Sequence, residues 1–224
     1  MISHRYQCIF IHIPKCAGTS IERVLGHLDD YQGRGGQDHR TVRMIERPYF
    51  TPGSLCSTEN IYELMRRARH RVARSNNNLN KLRVTRVEYN RYFKFAIVRN
   101  PWARVHSWYK ASLEDPYYKD IRGKNGVLSL KDFLRIRAGH GIMRPQMHWI
   151  RGFDGLINLD YIGRFENLTE SFRHICKSLG IDGVALPHEL MGPNIDYRDH
   201  YDAESIRLIA DMERDVIRMF DYSF

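Results

Sequence analysis

The stretch Ile13-Pro14-Lys15-Cys16-Ala17-Gly18-Thr19-Ser20 sets one ammonium, one glycine and two hydroxyls close together. Residues of these types hold an oxyanion. Gly18 lets the backbone come close to the bound group, Thr19 and Ser20 add hydroxyl donors, and Lys15 places a positive charge beside it.

For this to work the loop must leave a buried strand and open a helix, because the first helical turn carries unpaired backbone N–H groups at the positive end of the dipole. The sequence supplies both elements. Tyr6 to Ile13 is a short apolar run that reads as a buried strand ended by Pro14, and Ile21, Val24, Leu25 and Leu28 recur at helical spacing, from Thr19 or Ser20 to about Asp29. A glycine-rich turn at Gly33, Gly35 and Gly36 then precedes Asp38 to Glu46. Residues 60–74 read as a very basic helix, broken by Asn76-Asn77-Asn78 before another short basic helix that ends near Tyr89. Tyr92 to Val98 is a second buried strand, after which Asn100 suits an N-cap and Pro101 the first turn of a helix running to about Leu113. Later elements are a helix near Ser129 to Arg137, a strand near Leu159 to Phe165, a helix ended by Gly180 and a last helix from Ala203 to Phe220. Strands alternating with helices predict an α/β layer fold on a mostly parallel sheet.

The lysine precedes the glycine by three residues and no earlier glycine opens the loop, so the Walker pattern of ATP-binding P-loops is absent. The stretch Phe10 to Ser20 instead resembles the 5'-phosphosulfate loop of the family 2 sulfotransferases, the group related to carbohydrate O-sulfotransferases. Cys16 stands where those enzymes usually carry Thr or Ser, a small change if the position contributes its backbone N–H. Phe93 to Tyr109 resembles their 3'-phosphate motif, with Arg99 and Ser107 in the ligand positions. The chemistry agrees: a guanidinium at the carboxyl end of a strand can hold phosphate bidentately, and Ser107, two turns along the helix, returns to the face nearest Arg99. The segments Arg144-Pro145-Gln146, Tyr161 to Leu168, Tyr197 to Tyr201 and Phe220 to Phe224 are similar in the same order, so the likeness covers most of the chain.

This resemblance implies a P-loop-like three-layer α/β fold with a central, mostly parallel sheet flanked by helices. It implies the donor PAPS (3'-phosphoadenosine-5'-phosphosulfate), leaving as PAP, held by Lys15, Cys16, Ala17, Gly18, Thr19, Ser20, Arg99 and Ser107. Arg198, and more weakly Arg164, could line the nucleotide or an anionic acceptor, or serve equally as ion-pair partners. Sulfuryl transfer needs an acceptor placed in line, a base for its proton and a group to stabilise the departing phosphate. Lys15 is the stabiliser. His39, in Asp38-His39-Arg40-Thr41, is the candidate base, at the place where related glycan enzymes use a histidine; Asp38 or another carboxylate would orient it. His12, His106 and His200 compete for the role. The chemistry requires no metal, and none is expected.

The length allows one domain, 1–224, with a basic insertion at about 47–80 that could be mobile. No apolar stretch is long enough for a membrane helix and no signal-peptide layout is visible, so a soluble, cytoplasmic protein is expected. Cys8, Cys16, Cys56 and Cys176 form no C-x-x-C pair and read as reduced, buried or half-buried thiols. The formal charge of +9 is concentrated: between Arg66 and Arg99 stand eleven Lys or Arg residues and one acid, Glu88, so an anionic partner is expected. The acceptor expected is a hydroxylated saccharide, which could be anionic, or a small molecule, an amine being less favoured; neither nucleic acid nor membrane is expected to bind. Two other functions compete: an ATP-dependent P-loop phosphotransferase, and a non-catalytic polyanion-binding module, which leaves both phosphate motifs unexplained.

Overall fold

The computed structural model describes residues 1–31, 35–48, 51–114, 128–181, 183–186 and 196–224. Gly33 of the predicted glycine-rich turn lies outside them. Along the chain run β1 (Ile2–Ser3), β2 (Cys8–Ile11), α1 (Gly18–Val24), α2 (Val42–Ile45), α3 (Pro52–Cys56), α4 (Thr58–Val72), α5 (Arg86–Arg91), β3 (Phe93–Val98), α6 (Pro101–Glu114), α7 (Leu130–Arg137), α8 (Gln146–Ile150), β4 (Tyr161–Arg164), α9 (Leu168–Leu179), α10 (Ala203–Met212) and α11 (Arg214–Phe220). The expected span of 1–224 divides into two compact units, Met1–Val98 with His148–Leu190 and Arg99–Met147 with Met191–Phe224.

The first unit holds the sheet, in the order β1-β2-β3-β4. β2, β3 and β4 run parallel, with Ile11 opposite Ala96 and Val98 opposite Arg164, while the short β1 joins β2 antiparallel. This is the mostly parallel sheet of an α/β protein. β2 and most of β3 are buried along their length, so β2 reads as an unbroken apolar run and β3 is apolar from Phe95 to Val98, its Lys94 being paired with Asp160. Parallel strands put their carboxyl ends on one edge, and there the chain leaves β2 for residues 12–20 and ends β4 at Arg164. Gly163 has no room for a side chain: a Cβ there would meet Ile97 at 2.6 Å and Ser171 at 2.7 Å, so its absence lets α9 lie on β4. Gly180 ends α9 in the left-handed conformation at φ 64°, as the sequence predicts.

Two helices depart from expectation. α1 stops at Val24 instead of reaching Asp29, because the chain turns left-handed at Gly26 (φ 75°); Leu25 and Leu28 stay buried without being helical. In the second unit the predicted last helix is interrupted at Glu213, which leaves helical geometry and is only 1% exposed. Trp102, Val105, Phe133, Leu134 and Ile209 form the core of that unit. Asn100 caps α6 as predicted, its Oδ1 accepting from the N–H groups of Trp102 at 3.1 Å and Ala103 at 3.2 Å. Within the expected insertion, α3 and α4 are helical and Cys56 is exposed, whereas the other three cysteines are buried. No helix among the described residues is long and apolar enough to cross a membrane.

Candidate active site

In the loop after β2, Lys15 (φ 69°) and Ala17 (φ 62°) are both left-handed, a costly conformation for residues with a Cβ. Left-handed residues alternating along a loop turn successive N–H groups toward one concavity, which suits a tetrahedral oxyanion. α1 adds its first turn with no side-chain cap and no acidic residue. Cys16 is buried and turns its Sγ toward the carbonyl of Pro14 at 3.8 Å, so its backbone is the part available to a ligand. Lys15 and Thr19 are half-buried, and Ser20 is buried.

Gly18 is fixed by a neighbour that loop chemistry alone does not reveal. A Cβ there would lie 2.0 Å from Cδ2 and 2.1 Å from Nε2 of His12, so the His12 ring fills the space a side chain would need. His12 is itself buried, and its Nδ1 lies 3.0 Å from Glu22 Oε1. The same oxygen accepts the Asp38 N–H at 3.0 Å. Glu22, projecting from α1, therefore ties the loop to the segment that carries His39.

His39 is half-buried, with its ring 4.3 Å from that of His12 between centroids and edge-on to Trp149 at 6.3 Å. One imidazole thus separates it from Gly18. Its Nδ1 lies 3.4 Å from the His12 carbonyl oxygen. A carbonyl only accepts, so Nδ1 carries the proton and Nε2 is left with a lone pair, the tautomer a base needs. Among the described residues no carboxylate is hydrogen-bonded to the His39 ring: Asp38 is taken up by Arg40, whose Nε and Nη2 reach it at 2.9 and 2.5 Å. Thr41, on the other side, caps α2 and donates to the buried Glu63 at 2.5 Å, so His39 sits between two anchored residues.

Burial pushes the His39 pKa down to about 3, with the His12 ring adding to the effect, and burial lowers His12 to about 3 as well. Both imidazoles are neutral at pH 7. Burial would raise Asp38, but the Arg40 guanidinium overcomes it and holds the carboxyl below its usual range. Of the competing histidines, His12 is enclosed with its Nδ1 engaged, and in the second unit His106 stacks on His200 at 4.6 Å.

The second unit positions Arg99 through its backbone. Gln146, fully buried, accepts from the Arg99 N–H at 2.9 Å and donates its Nε2 to the Arg99 carbonyl at 2.8 Å, as a paired strand would. Gln146 is held in turn: its N–H donates to Glu213 Oε2 at 3.0 Å, and Glu213 Oε1 accepts from the buried Arg104 at 2.8 Å. Ser107 lies half-buried on α6. Arg198 is exposed in a single 3₁₀ turn, 3.3 Å from Asp196 and stacked over the Tyr197 ring at 4.9 Å.

A mostly parallel sheet flanked by helices, with a strand–loop–helix unit following its first parallel strand, defines an α/β protein. The family is the sulfotransferases: the family's profile matches residues 1–204, and the chain belongs to it, within the group related to carbohydrate sulfotransferases. An uncharacterized protein of Archaeoglobus fulgidus is 31% identical over 110 residues, covering 48% of this chain and 80% of that protein. Carbohydrate sulfotransferase 9 of Homo sapiens is 27% identical over 139 residues, covering 51% of this chain but only 30% of the human protein. No solved structure matches.

Proposed function

We propose that the chain transfers a sulfuryl group from PAPS to a saccharide hydroxyl by in-line displacement, in the cytoplasm and without a metal. The observation that carries this is the loop of residues 15–20, whose left-handed Lys15 and Ala17 store backbone strain at the point where the family motif puts the phosphosulfate. PAPS supplies the activated sulfur and a phosphate leaving group. The loop N–H groups with Thr19 and Ser20 hold the 5' end, and Arg99 and Ser107 take the 3'-phosphate, as the motif order implies. Arg198 is a further candidate for the donor.

Lys15 neutralises the charge that grows on the departing phosphate oxygen, an interaction stronger in the transition state than before it. His39 takes the acceptor proton through Nε2. An anion bound nearby raises an imidazole pKa, so donor binding would restore part of the basicity that burial removes. Similarity to a carbohydrate sulfotransferase favours the saccharide acceptor. The exposed free thiol of Cys56 favours a reducing compartment. Incubation with PAPS and a panel of glycans and small alcohols, scored by mass spectrometry, tests the reading: a sulfated saccharide is expected, and the absence of any sulfated product across the panel counts against it.

A further inference from the structure

Three cavities of the first unit follow one another from His39. The first, about 310 Å³, is lined by His39 and shares Arg40, Met44, His70 and Lys81 with the second, of about 210 Å³. The second shares Ile45, Arg67 and Val84 with the third, of about 620 Å³, whose wall includes Tyr89. All three run beside the basic segment that composition alone leaves unassigned.

The middle cavity has an unusual balance of charge. Arg40, Arg67, His70, Arg71, Lys81 and Arg83 line it, over an apolar floor of Ile2, Met44 and Ile45, and no carboxylate lines it among the described residues. Arg40 is paired with Asp38. Arg67 and Lys81 are aimed by backbone carbonyls, those of Arg43 and Glu46 for the first and of His70 and Ala73 for the second, which orient the cations without cancelling their charge. Arg71 and Arg83 are exposed and make no ion pair among the described residues. Burial, followed by repulsion from the nearby Arg71, pulls the Arg67 pKa down, although the Glu46 carboxylate acts in the opposite direction. A bound anion relieves that repulsion.

We propose that the middle cavity is an acceptor subsite for a carboxylate or sulfate ester, carried on an oligosaccharide by the sugar next to the one whose hydroxyl faces His39. This rests on the sulfotransferase reading for the identity of the His39 cavity. An aliphatic floor under a cluster of cations suits one anionic group on a sugar ring; single-stranded nucleic acid is held instead on aromatic stacking platforms along an even basic groove. The run of three cavities suits a chain longer than one residue.

The full chain can be titrated by NMR with glucose, glucuronic acid, glucose 6-sulfate and oligothymidine, and by calorimetry with PAP. Both anionic sugars should bind, glucose about tenfold more weakly, because charge-assisted bonds are the stronger ones. The double variant Arg71→Ala/Arg83→Ala, altered at exposed positions, should lose most of that preference while its PAP affinity stays unchanged, and Arg71→Lys/Arg83→Lys should keep the preference. Equal binding of glucose and the anionic sugars would overturn the proposal, as would an unchanged preference in the alanine variant. So would a loss of PAP affinity in that variant, or oligothymidine proving the ligand whose binding is lost. If the wild type binds the anionic sugars as expected but binds no PAP, the sulfotransferase reading fails and the anion subsite stands.

Discussion

At the residue scale the proposed transfer depends on Lys15 and His39. Replacing Lys15 with Ala should lower kcat by on the order of 10²–10³, the usual loss when a transition-state charge stabiliser is removed. Single-turnover rates with saturating donor check it, and a near-normal rate would remove the assignment. His39→Gln should lower kcat by roughly 10²–10⁴ while PAP still binds. The pH behaviour follows from burial: with a folded pKa of about 3, His39 stays neutral well below the ordinary imidazole range, so the pH profile of kcat/KM for the free enzyme should show no acid limb near 6.5. The stability consequence has a definite sign. The unfolded imidazole titrates at 6.5 and the folded one at about 3, so the unfolded chain takes the proton first and stability is lost as pH falls below 6.5. His39→Gln lacks this liability, and its stability relative to wild type should improve by about 1 kcal/mol between pH 7.5 and pH 5.5, measured by urea unfolding.

At the element scale the strand–loop–helix units determine what the site can do, and they were largely legible in advance. The buried runs of β2 and β3, the Asn100-Pro101 start of α6 and the Gly180 stop of α9 are local signals with local causes, and each is present. What spacing could not show is the long-range polar wiring. Glu22 falls at a position that periodicity treats as any helical residue, yet it joins His12 to the backbone of Asp38. Gln146 sits in a segment singled out only by likeness, and its work on Arg99 depends on a partner 47 residues away. The helix break at Glu213 is tertiary in origin as well, since the carboxylate is buried against Arg104 and Gln146. Two substitutions test these elements. Gly18→Ala must displace the His12 ring, and should cost about 1–3 kcal/mol of stability together with donor affinity. Glu213→Gln removes one charge of a buried pair and should destabilise by about 3–5 kcal/mol, while a milder Gln146→Ala should weaken PAP binding with smaller loss of fold. Unchanged PAP affinity in Gln146→Ala would mean that the backbone of Arg99 needs no such clamp.

At the scale of the whole molecule, the basic surplus acquires a location. The sequence shows cations crowded between Arg66 and Arg99, and the fold gathers part of that run, with Arg40, around one cavity of the unit that also carries the loop of residues 15–20 and His39. Membership of the sulfotransferase family accounts for the loop and for the order of the motifs, and the lysine-before-glycine spacing separates this chain from ATP-binding P-loops. Donor choice is therefore the claim on which the rest depends. A calorimetric titration of the full chain with PAP and, separately, with ATP and magnesium tests it most directly. Saturable PAP binding with a stoichiometry of one, weakened in Lys15→Ala, is expected, with little heat from ATP and magnesium; tight ATP-magnesium binding with none for PAP would rule out a PAPS-dependent sulfotransferase.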